Sequence, residues 1–143
     1  VHSTVFVIND SSYKAMWTRN RSHISTVEEP YRATSTSPGV CNVGGNAQEC
    51  GDTDLATISA LTAFVSDLKS TFVPSQYEAA NAAMIVAVGI TIKGLHERVR
   101  GLAKPHTPLF GKSRRTLVAA ESALAAAYAK FPSYDRPQPA PAF

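Results

Sequence analysis

Residues 75–101 read SQYEAANAAMIVAVGITIKGLHERVRG, and two stripes within this stretch decide the fold class. Tyr77, Met84, Val88, Ile92, Leu95 and Val99 return at helical spacing and make one face of large apolar side chains. Ala80, Ala87, Gly94 and Gly101 recur every seven residues beside them. Small side chains at that period let the backbone of a neighbouring helix approach closely. Ser75 followed by Glu78 has the capping-box pattern, so the spacing predicts a helix from Ser75 to about Arg100.

Working outward, Asp52, Thr53 and Asp54 supply N-cap and first-turn acids ahead of Leu55, Ile58, Leu61, Val65, Leu68 and Phe72. This predicts an amphipathic helix that Pro74 interrupts. On the other side, Gly101 and the segment Lys104-Pro105-His106-Thr107-Pro108 end the central helix. A third helix is predicted from Lys112 or Ser113 to about Phe131, with Leu117, Ala120, Leu124, Ala127 and Phe131 on one face.

The flanks are less regular. Val5-Phe6-Val7-Ile8 suits a short strand or an apolar arm, and Tyr13 to Ile24 a short helix weakened by Asn20, Ser22, Ser25 and Thr26. Pro30 to Gly51 reads as an extended connector, and residues 132–143 as a proline-rich tail that either packs on the bundle or leads away from it. The expected fold is mainly α: a small antiparallel bundle of three long helices plus a shorter N-terminal element, with a disulfide-closed loop and a proline-rich C-terminal tail. A length of 143 residues suits a single domain, residues 1–143. Residues 1–51 are then arm and connector, 52–131 the main bundle and 132–143 the tail.

Apolar residues make up 44% of the chain and charged residues 17%, enough to build a core under a surface rich in Ser, Thr, Ala and Gly. The apolar run Ala79 to Ile92 falls short of the roughly 20 residues of a membrane span, so no transmembrane segment is expected. The net charge is +3, and its distribution says more than its total. Lys93, His96, Arg98, Arg100, Lys104, His106, Lys112, Arg114 and Arg115 face the single acid Glu97 in that region. As a solvated helix end and loop this patch needs no partner; as a working surface it suits an anionic ligand, an acidic surface or a protein carrying one. Neither an arginine-rich arm nor helix-turn-helix spacing is present, so nucleic acid is not expected.

Cys41 and Cys50 are the two cysteines, in CNVGGNAQEC, and within one chain each can pair only with the other. A bridge there implies an oxidising compartment, hence secretion or the cell envelope. The spacing is too wide for a CxxC knuckle, and no metal is expected. His96-Glu97 resembles half of HExxH, but the second histidine is replaced by Arg100. Gly111-Lys112-Ser113 lacks the rest of a phosphate loop, and no GxSxG elbow occurs. Glu121 is read as solvent-facing or as one half of a buried pair, and Asn81 as a hydrogen-bonding group across the bundle. No catalytic residue or cofactor is assigned.

The reading that results is a secreted or cell-envelope helical binding domain, not an enzyme, acting by noncovalent protein or acidic-surface recognition through the basic region. One alternative is a carrier of small apolar ligands, with a cavity lined by Phe72, Met84, Val88, Leu124 and Tyr128. Another is a small hydrolase-like enzyme using Glu121 with His96 or a nearby base. Homodimerisation through the small-residue stripe is also open. Nonreducing peptide mapping of mature protein is expected to recover Cys41 and Cys50 in one linked fragment; two alkylatable thiols would refute the bridge.

Overall fold

Four helices follow one another: α1 (His2–Thr34), α2 (Ala47–Ser70), α3 (Glu78–Ala103) and α4 (Leu109–Ala129), with a 3-10 turn at Ser75–Tyr77 leading into α3. This computed structural model describes residues 2–34, 47–104 and 107–143, and the side chains of residues 11–29, 48–104 and 107–143. No strand occurs among the described residues. Contacts fix an up-down-up-down order. Asn81 on α3 reaches the Leu68 carbonyl at the end of α2, and Arg98 reaches Asp54 near its start. Trp17 of α1 packs edge-on against Phe64 of α2 and stacks with Tyr128 of α4.

The N-terminal element departs most from expectation: it is a helix of 33 residues, neither a short helix nor a strand. Tyr13, Met16, Trp17, Asn20 and Ile24 are all buried, at helical spacing. Of the polar residues that weaken this pattern in the sequence, Asn20 and Thr26 find partners within α1, and Asn20 also one on α2. The Asn20 amide donates to the Met16 carbonyl and to Asp67 Oδ2, and the Thr26 hydroxyl to the Ser22 carbonyl. The expected connector is correspondingly shorter, because α1 runs past Pro30 to Thr34 and α2 begins at Ala47.

That earlier start puts Asp52 and Asp54 inside α2, not at its cap, and turns the buried face of α2. Ile58, Leu61, Phe64 and Leu68 are buried, whereas Leu55 is 51% and Phe72 56% exposed. The start of α3 is a correction too: Tyr77 is the N-cap residue and makes no side-chain cap bond, so the Ser75–Glu78 box is not formed. The 3-10 turn takes up the role of entry, with the Tyr77 N–H donating to the Pro74 carbonyl. α4 starts three residues before Lys112, at Leu109.

The small-residue stripe of α3 is buried, and so is the large apolar stripe except Ile92 and Val99, which are half-buried. Tyr77, Met84, Val88 and Leu95 enter the main core, and Ala80, Ala87, Gly94 and Gly101 are covered. The last two lie under α4: a β-carbon at Gly94 would stand 2.7 Å from Leu117 Cδ2, and one at Gly101 2.7 Å from the Phe110 backbone nitrogen. The small-residue stripe is thus occupied within the chain, which removes it as a surface for a second copy. An 18-residue window within residues 75–103 has a mean hydropathy of 1.4 and so meets the length and apolarity of a membrane span, which the sequence reading did not anticipate. A core helix of a bundle meets the same criterion, and α3 packs against both α2 and α4.

The proline-rich tail packs on the bundle. Its root is Asp135, which accepts from the Tyr77 hydroxyl at 2.8 Å and pairs with Lys14. Its end is Phe143, edge-on to Phe64 and beneath the Arg21 guanidinium. Cys50 is fully buried beside Leu102 and Phe110. Cys41 lies outside the described residues, so the disulfide-closed loop is not part of the observed architecture.

The glycines separate two effects. Gly101→Ala is expected to destabilise by about 1–3 kcal/mol, because the new methyl meets main chain that cannot rotate away. Gly89 is exposed in α3, and a methyl group added there would meet nothing within 4 Å, so Gly89→Ala is expected to stabilise, by up to about 1 kcal/mol. Urea midpoints that move in the same direction for both would contradict this packing.

Candidate functional site: a basic end of the bundle

The last two turns of α3 and the first two of α4 lie at one end of the bundle, because Gly101 abuts Phe110. This brings the sequence-predicted basic residues together, but not as equals. Arg98 is drawn inward: its Nε and Nη2 donate to the two oxygens of Asp54 at 2.8 and 2.7 Å. Asp54 is buried, so this bidentate pair ties α3 to α2 in low dielectric and its cation is already committed.

Lys112 is committed to Glu97, with Nζ 3.5 Å from Oε2. Glu97 is only 2% exposed, though it lies just beneath the surface under the long cationic side chains. Burial pushes its carboxyl up, but the reach of Thr116 and Lys112 and the charges of Lys112 and Lys93 outweigh that and hold it below the usual carboxylate range. Neither carboxylate oxygen has a partner in hydrogen-bond geometry, and the Thr116 hydroxyl donates to the Lys112 carbonyl at 3.1 Å.

What remains outward is His96, Arg100, Lys104, Arg114 and Arg115, all exposed, with Lys93 also on the surface. The Arg100 side chain turns back toward the His96 carbonyl at 3.4 Å. His106 lies outside the described residues. Arg114 and Arg115 share an open hollow of about 530 Å³ with Gly111 and Val118. These four positions form one turn-to-turn row on α4, and Val118 is 65% exposed. Val118 is the member the sequence reading missed; its place three and four residues past the arginine pair is the signal that could have found it.

The helix macrodipole sharpens the distinction. Cations on the last turn of α3 complement its negative end and need no further purpose. Arg114 and Arg115 lie beyond the first turn of α4, where the dipole has little hold on them. Neither makes an ion pair among the described residues, so helix stability does not account for them.

The remaining candidates are dispersed. Met84, Val88 and Leu124 are packed in the main core with Tyr128 against it, while Phe72 faces solvent on the surface. The described hollows are lined by other residues. One, of about 370 Å³, has Glu28, Asp54, Arg98 and Glu121 beside Leu95, Leu117 and Phe143. Glu121 is exposed on its rim. Asn81 does bridge the bundle, accepting from the Tyr13 hydroxyl at 2.8 Å and donating to the Leu68 carbonyl. No group of His, Cys, Asp and Glu able to hold a metal ion occurs among the described residues.

Fold and surface together define a four-helix bundle with a basic end. Comparison with protein-family models, with curated proteins and with solved structures gives no match.

Because the folded Glu97 carboxyl titrates below its unfolded value, its contribution is complete above the unfolded pKa and is lost as pH falls through the folded one. Glu97→Gln is therefore expected to be less stable than the parent at neutral pH and to converge with it at a pH acid enough to protonate the folded carboxyl. Urea unfolding at the two pH values reads this; an unchanged gap at low pH would show that charge is not the cause.

Proposed function

We propose that this protein is a non-enzymatic helical binding domain of the secreted or cell-envelope compartment, recognising acidic protein surfaces noncovalently through the basic end of its bundle. The observation that carries the reading is the arginine pair. Arg114 and Arg115 are exposed, lack ion-pair partners among the described residues and flank an exposed valine. Arginine forks of this kind suit carboxylates, while the neighbouring apolar methyls supply contact area. Arg100 and Lys104 extend the positive field and raise encounter rates with an acidic partner.

The compartment rests on the cysteines. Cys50 is fully buried, and no free cysteine occurs among the described residues. A Cys41–Cys50 bridge would join the connector to the start of α2, close to the basic end, and would constrain the unfolded chain by about 2–4 kcal/mol.

A fluorescein-labelled deca-glutamate peptide serves as the acidic probe in an anisotropy titration at low salt. The doubly reversed Arg114→Glu, Arg115→Glu chain is expected to bind it at least tenfold more weakly than the parent. Lys69→Glu with Lys130→Glu, the same charge change on exposed residues at the opposite end, is expected to stay within about twofold. Equal losses in both variants would reduce the patch to net charge alone and overturn the reading, as would a parent chain that does not bind the probe.

A further inference from the structure

Four consecutive carbonyls of the tail each accept one side-chain donor from the bundle. Tyr128 Oη donates to Pro137 O at 2.8 Å, Thr18 Oγ1 to Gln138 O at 3.0 Å, Trp17 Nε1 to Pro139 O at 2.7 Å and Arg21 Nε to Ala140 O at 3.2 Å. Three of the donors lie on α1 and the fourth on α4, so the tail fills the seam between these helices. Trp17 and Tyr128 are stacked, with ring centroids 6.0 Å apart, and form an aromatic wall there. Pro137 is buried against it.

This is the chemistry by which proline-rich strands are recognised. A proline has no N–H, so its carbonyl is its only hydrogen-bonding group, and an extended segment rich in proline presents carbonyls without amides that need partners. Such a segment also loses little conformational freedom on docking. Aromatic side chains with a single polar tip meet both needs, giving apolar surface to the rings and a donor to each carbonyl. The four hydrogen bonds go to main chain, while Arg21 also covers the Phe143 ring and Tyr128 meets the Arg136 guanidinium.

The seam is also longer than the tail requires. Past Pro139 an open hollow of about 330 Å³ continues along α1 between Thr18, Arg21, Ser22, Ser25 and Thr26. Its lining is polar, and Thr18 and Arg21 in it are the donors that hold Gln138 and Ala140.

We propose that the seam lined by Trp17, Thr18, Arg21 and Tyr128 is a binding site for proline-rich peptides, occupied in this chain by its own residues 137–140. The covalent tail competes at an effective concentration in the millimolar range, so the intact chain presents the site closed. An external proline-rich segment gains access when the tail is displaced or cut. The site is separate from the basic end and depends on none of the residues proposed to act there.

The test starts from the whole folded chain carrying a protease recognition sequence between Ser133 and Tyr134, cleaved after folding. A fluorescein-labelled peptide of residues 134–143 is then titrated against cut and uncut protein. Saturable 1:1 capture by the cut protein, at least tenfold tighter than by the uncut protein, is expected. Replacing Pro137, Pro139 and Pro141 of the peptide by glycine is expected to weaken capture at least tenfold. Trp17→Phe in the cut protein keeps an aromatic ring but removes the N–H, and is expected to weaken capture several-fold. A cut protein that does not take up the peptide, for any reason including loss of its helices, overturns the proposal. So does equal capture by cut and uncut chains, or equal affinity for the glycine peptide.

Discussion

The approach of α4 to α3 governs the rest of the molecule. At Gly101 the distance left for a methyl group is 2.7 Å to the Phe110 backbone nitrogen, and at Gly94 it is 2.7 Å to Leu117. Contacts this close admit a single register between the helices, since a one-residue slide would drive a larger side chain into backbone. That register sets Lys112 beside Glu97 and Leu117 over Gly94. It also leaves Arg114 and Arg115 pointing to solvent. The small-residue stripe therefore acts as a gauge: it decides which face of α4 is inside and, by exclusion, which cations are outside.

Charges at the basic end are then sorted by what lies beneath them. Arg98 and Lys112 each meet a buried carboxylate, Asp54 and Glu97, and serve to join helices. Arg114 and Arg115, beside them in the chain, stay exposed on the surface. A run of like charges along a sequence is thus divided into structural and free members by two acids, one of which comes from a different helix. The division matters for recognition, because a cation already held by a carboxylate in low dielectric has little left to offer a partner.

At the opposite end, the aromatic side chains hold the fold together. Tyr13, Tyr77 and Phe131 meet with ring centroids 5.1 to 6.1 Å apart, and Trp17 joins them through Phe131. The polar tips of these rings do not stay idle: Tyr13 binds Asn81, Tyr77 binds Asp135 and Trp17 binds the tail. Lys14, first among the influences on Asp135, holds its carboxyl below the usual range and so keeps the root of the tail charged near neutral pH. One aromatic cluster thereby serves the core and the seam alike.

The sequence by itself determined that the chain is helical and where its strongest faces lie. Met84, Val88, Leu95, Ala120, Leu124 and Ala127 repeat at helical steps, and all are buried. It also located the small-residue stripe and the basic region, because both are local in the chain. Four things were decided only by tertiary structure. The full length of α1 depends on Asn20 finding Asp67 on α2, without which a buried amide would argue against a helix. The role of Asp54 as an ion-pair partner and not a cap depends on Arg98, 44 positions away. The choice between an intramolecular and an intermolecular partner for the stripe depends on α4. The fate of the tail depends on donors from α1, some 120 residues earlier in the chain. Periodicity reports what a segment can bury; it carries no record of which distant group satisfies a buried polar atom, and that pairing is what sets the ends of α1, the free arginines and the closed seam.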